Sequence, residues 1–162
     1  MKERAFAHRT GVTASLVAAA LMVGGSIYAQ AKLEDRLIGT WVLDRAKSTY
    51  SGAAPERRTV KFEKTPMGIK HTTESMQGEV VYKVVYTFNA DGKDYPADVA
   101  MAPSKISVKT ADANTLERTG KDNTGQVIET VKWTFADNGK RLIEDRDANS
   151  GAITSHQEFV KQ

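Results

Sequence analysis

Arg118 and Arg146 are the side chains of this sequence best suited to binding something. Each lies in alternating register with a leucine: Arg118 two residues after Leu116, and Arg146 four after Leu142, with Glu144 between. Alternate residues of an extended strand share a face. If the leucines point into a core, both guanidiniums and Glu144 point there too. A buried arginine needs an acid or an anionic ligand beside it, so one reading gives the pair a carboxylate or phosphate head group to hold. The other reading pairs Arg146 with a neighbouring acid such as Glu144, or turns both residues to solvent, where long charged side chains mostly stay. Tyr82, Tyr86, Phe88, Trp133 and Phe135 supply the aromatic content of the two longest strand-like runs. They either line an apolar pocket or fill a core with large buried areas.

Other chemistries lack their residues. The chain has no cysteine, and beyond Ala31 its histidines are His71 and His156, far apart in sequence. No His-x-His or His-Glu-x-x-His spacing offers a zinc site, so no metal and no cofactor is expected. No nucleophile elbow or phosphate-cradling glycine loop occurs. Glu144 and Asp145 are adjacent, so on a strand they point to opposite faces and make a poor acid–base couple. The residues point away from an enzyme.

The segment ending at Ala31 stands apart. Lys2, Arg4 and Arg9 open the chain, no charge occurs from Val12 to Ile27, and Ala29-Gln30-Ala31 places small residues where a signal peptidase reads. The apolar run is short for a bilayer span, which needs about 20 residues. Residues 1–31 are therefore predicted to be a cleavable signal helix, and 32–162 the mature domain, periplasmic or secreted and off the membrane after cleavage. Removing the leader leaves 20 basic against 19 acidic residues, a net charge of +1 instead of +3. That balance excludes a nucleic-acid footprint. A cysteine-free exported domain must be stabilised by its core, and the stretch from Lys32 to Gln162 is long enough to build one.

The elements that would position the arginines are strands. Apart from a helical turn over Lys32–Leu37, alternating runs recur: Thr40–Arg45, Arg58–Lys64, Ile69–Ser75, Val80–Phe88, Lys93–Tyr95 (stopped by Pro96), Lys105–Thr110, Thr115–Gly120, Val127–Phe135, Arg141–Arg146 and Ile153–Val160. Asn89–Gly92, Asp122–Gly125, Asp137–Gly139 and Asn149–Gly151 supply hairpin turn residues between them. Short hairpins connect neighbours in space. The predicted fold is all-β: an antiparallel up-and-down meander of about ten strands, closed into a barrel because closure removes sheet edges.

Gly39-Thr40-Trp41, after a helical turn and opening the first strand, resembles the Gly-x-Trp of the calycins, the lipocalin-like and fatty-acid-binding-protein-like barrels. From about Leu37 onward the chain also resembles a group of small exported bacterial lipocalin-like proteins. It shares the Ala46-Lys47-Ser48-Thr49-Tyr50 continuation and the Asp91-Gly92-Lys93-Asp94-Tyr95-Pro96 turn. The resemblance implies that Trp41 packs across the barrel end. Three features depart from it. Ser48–Arg57 is too short and too rich in Gly, Ala and Pro for the helical lid of fatty-acid-binding proteins. The chain ends on a strand-like run where lipocalins place a helix. Gln157 and Phe159 stand where the fatty-acid-binding branch carries its carboxylate-holding Arg and Tyr, and they cannot supply that charge.

These readings predict an exported binding module that holds a small hydrophobic or anionic amphipathic ligand inside the barrel, through Tyr82, Tyr86, Phe88, Arg118, Trp133, Phe135 and Arg146. The alternative is a structural or interaction protein of the cell envelope with a filled barrel and no ligand. An apolar-lined cavity of about 300 Å³ or more favours the first, and a solid interior the second.

Overall fold

The computed structural model describes residues 32–97, 103–148 and 154–162. The leader predicted over 1–31 and the turn predicted over 149–151 lie outside the described residues. A single 3₁₀ turn, Leu33–Leu37, precedes ten strands: β1 (Gly39–Tyr50), β2 (Arg57–Thr65), β3 (Gly68–Gln77), β4 (Val80–Phe88), β5 (Asp94–Pro96), β6 (Lys105–Thr110), β7 (Thr115–Lys121), β8 (Val127–Ala136), β9 (Arg141–Ala148) and β10 (Thr154–Lys161). They form one antiparallel sheet in the order β4-β3-β2-β1-β10-β9-β8-β7-β6-β5. Each strand pairs with its neighbour in sequence, except that β1 pairs with β10 and β4 does not pair with β5. The meander therefore wraps into a nearly closed barrel with one seam.

Local chemistry explains the hairpins. In the β7–β8 turn the Asp122 carboxylate accepts hydrogen bonds from the backbone N–H groups of Thr124 and Gln126, both at 2.9 Å, as short Asx turns do. Between β8 and β9, Asp137, Asn138 and Gly139 all adopt positive φ (50°, 55° and 83°), conformations that Asn, Asp and Gly tolerate best. At the start of β3, Gly68 has φ +129°, and a Cβ there would collide with the Phe88 carbonyl oxygen of β4. Only glycine lets these two strands approach. Pro96, read as a stop after Lys93–Tyr95, is instead the last residue of β5 and stands opposite Lys105. β5 lies at a sheet edge, where a missing N–H breaks no ladder.

Alternation decides what the barrel encloses. Toward one end the interior is apolar: Leu37, Trp41, Val60, Ile69, Phe88, Phe135, Leu142 and Phe159 are all buried. The Trp41 indole N–H donates to the Leu37 carbonyl at 2.7 Å and its ring lies 6.3 Å from that of Phe135. Trp41 thus packs at the barrel end, as the resemblance implies. Toward the other end the same inward register carries His71, Thr73, Arg118, Glu129, Glu144 and Gln157, all buried.

Candidate functional site

The polar half of the interior is built from β2, β3, β4, β7, β8, β9 and β10. Arg58 follows the inward register of Val60 and Phe62. Glu129 shares the face of Val131, Trp133 and Phe135, and Gln157 that of Phe159. Cross-strand register brings these positions together: Glu144 stands opposite Trp133 on one side and Gln157 on the other. Two clusters result. In the first, Arg58 bonds Glu144 at 3.1 Å and donates to the Gln157 side-chain carbonyl at 2.9 Å. The Trp133 indole N–H donates to the other Glu144 oxygen at 2.9 Å. In the second, Glu129 lies between two arginines, 2.6 Å from Arg118 through one carboxylate oxygen and 2.6 Å from Arg146 through the other.

Charge and solvation set the character of this space. Burial alone would raise the Glu144 pKa, but the Arg58 guanidinium, the Trp133 hydrogen bond and the charges of Arg118 and Arg146 outweigh it, so the carboxyl titrates below its ordinary value. Burial, and then the positive charges of Arg118 and Arg58, hold His71 well below its usual range, so it is neutral. Burial pushes the Tyr86 hydroxyl up, so it is neutral too. Three guanidiniums therefore face two carboxylates, leaving one uncompensated positive charge among the described residues. The Nε–H groups of Arg58, Arg118 and Arg146 are each buried without a hydrogen-bond partner. An unsatisfied buried donor costs about 1–3 kcal/mol, so this half of the barrel is short of acceptors.

The arginines, His71, Tyr86 and Val84 border a cavity of about 90 Å³. That is room for about three waters, far below the ~300–1,000 Å³ of a pocket that engulfs a drug-sized ligand. A larger, open concavity of about 820 Å³ is lined from β1 and β7–β10, by Tyr50, Glu117, Lys132, Arg146 and His156 among others. Within it His156 bonds Asp145 at 2.7 Å. Arg146 lines both this concavity and the lumen cavity.

The residues singled out from the sequence fall into three groups. Arg118, Trp133, Tyr86 and Arg146 border the lumen cavity, with the Arg118 guanidinium 5.8 Å from the Tyr86 ring and 5.9 Å from that of Trp133. Phe88 and Phe135 are buried in the apolar core. Tyr82 lies on the inward register of β4, two residues beyond Val84 toward the strand end, and is 45% exposed. Arg146 pairs with Glu129 of the adjacent strand β8, and the acid expected for it, Glu144, goes to Arg58. Glu129, Arg58, His71 and Gln157 were not singled out as binding residues, yet each alternates with buried apolar residues in its own strand.

Neither a protein-family model nor a curated protein matches the chain by sequence. Solved structures do match. The wild-type fluorescent protein UnaG superposes with a TM-score of 0.53 over 79% of this chain and 98% of its own, at 12% identity. Lipid binding protein 8 of Caenorhabditis elegans gives 0.53 over 79% and 96%, at 13% identity. A fatty acid transporter, REP1-NXSQ, gives 0.52 over 79% and 97%, at 11% identity. The fold is that of the calycin barrels. At such identities the likeness concerns the backbone path. The barrel here carries its own lumen, with Gln157 and Phe159 on β10 and the positive charge supplied from β2, β7 and β9.

Proposed function

We propose that the chain is an exported ligand-binding barrel that grips an amphipathic molecule by an anionic end. The observation that carries this reading is the lumen's surplus positive charge, presented by three arginines whose buried Nε–H groups lack acceptors beside a cavity of about 90 Å³. A carboxylate head fits that volume and supplies acceptors. An alkyl tail does not fit, and its path runs outward along β4, over half-buried Val84 to exposed Tyr82 and Val80. The lipid-binding names of two of the structural neighbours agree with a guest of this kind. The signal-like segment ending at Ala31 supports export, which a mature chain beginning at Lys32 in the exported fraction would check.

The test is calorimetric titration with decanoate and with decanol, which share a tail and differ in charge. Decanoate binds at least tenfold more tightly than decanol, and Arg118→Leu removes that preference. If Arg118→Leu does not fold, Arg146→Gln, at the more exposed of the three guanidiniums, serves in its place. A second reading, a filled barrel without a guest, draws on the small cavity volume. Failure of the wild-type protein to bind either compound would establish it and overturn the first.

A further inference from the structure

Resting on that reading, we infer that Glu129 and Glu144 fix the valence of the guest: the lumen is charge-matched to a monoanion and discriminates against a dianion. The fixed charges around the cavity set this preference. Arg58, Arg118 and Arg146 contribute three positive charges, with Arg58 and Arg118 side chains 16% and 11% exposed. Glu129 and Glu144 contribute two negative charges, both at 5% exposure. His71, the remaining buried basic group bordering the cavity, is neutral. One positive charge is left over.

A carboxylate guest brings the lumen to neutrality. A doubly charged phosphate monoester overshoots it by one, and a buried charge without a partner is strongly disfavoured. Glu129 is central because of where it sits. Its two carboxylate oxygens already hold a terminal guanidinium nitrogen of Arg118 and of Arg146, groups an incoming carboxylate would otherwise take. It leaves the guest a single charge to satisfy. The two acids thus act as specificity-determining residues, because they set what the arginines have left to offer.

The experiment compares decanoate with decyl phosphate at pH 8, where the second phosphate ionisation (pKa about 6) is complete. The wild-type protein favours decanoate by at least tenfold. Glu129→Gln, which keeps the shape and removes one negative charge, shifts the ratio at least tenfold toward decyl phosphate. Glu144→Gln does the same, because the count and not one particular contact is decisive. Thermal melting confirms that each variant folds. Decanoate binding with an unchanged ratio in both variants overturns the charge count and leaves the binding reading intact. Wild-type protein that binds neither compound overturns both.

Discussion

His71 shows how one buried side chain couples this interior to pH. Its ring stacks on Tyr86 with centroids 4.3 Å apart and lies 6.0 Å from Trp133, and one nitrogen shares a hydrogen bond with Thr73 at 3.0 Å. Burial and the nearby charges of Arg118 and Arg58 keep it neutral in the fold. In the unfolded chain it takes a proton near pH 6.5. The unfolded state then binds more protons, so the contribution of neutral His71 is complete above that pH and is lost as pH falls. His156 has the opposite sign. Its bond to Asp145 raises its pKa, so its contribution is present below pH 6.5 and is lost as pH rises through the raised value. Melting temperature should therefore fall between pH 6.5 and 4.5 in the wild-type protein. His71→Phe should flatten that fall, whereas His156→Gln should leave it in place and instead remove the loss of stability that the wild-type protein shows as pH rises above 6.5; identical profiles in all three on both sides of pH 6.5 would show that neither ring is in the environment described. The sequence carried part of this. Period-two spacing places His71 on the face of Ile69 and Thr73, and Glu129 on that of Val131. It does not reveal that Arg58 meets Glu144, because 86 residues separate them and the contact depends on the registers of β1, β2, β9 and β10.

At the scale of the element, the β7–β8 hairpin positions the acid on which the selectivity argument depends. Register shifts between Gly120 and Lys121, which pair with Glu129 and Val127 respectively. Such an irregularity re-aims side chains at a strand end. Gly120 leaves the space Glu129 fills: a Cβ there would lie 2.6 Å from the Glu129 Cγ and 2.9 Å from the Pro103 ring. Gly120→Ala should push the carboxylate off Arg118 and Arg146 and cost about 1–3 kcal/mol, the usual range for overpacking. Combined with Glu129→Ala in a double-mutant cycle, it should show coupling of about 1 kcal/mol or more, and effects additive within about 0.5 kcal/mol would make the two residues independent. The turn residues of this hairpin were legible in the sequence. The irregularity beside it was not, since Gly120 reads equally well as the end of a regular strand.

At the scale of the molecule, the meander and its ten strands follow from alternation and turn chemistry, and the sequence reading and the structure agree on them. The seam does not follow. Its cause is the length of β5, three residues ending at Pro96, against nine in β4. All three residues of β5 pair with β6 and none with β4, although the arithmetic of sheet edges favours closure. Hydrogen exchange should record the seam: amides of β5 and of the seam side of β4 should exchange at least tenfold faster than those of β8 and β9, which pair on both sides. Uniform protection around the ring would mean that the gap is bridged in solution.

Another consequence comes from the opposite side of the ring, where β1 lies along β10, with Trp41 opposite Lys161. The strand that opens the meander and the strand that ends it are zipped together. A nascent polypeptide released before Thr154 would display two bare ladders, one on β1 and one on β9, each a template for a stray chain. The ribosome must pass Lys161 before the ring can shut, so termination before β10 should yield aggregates and not a smaller barrel.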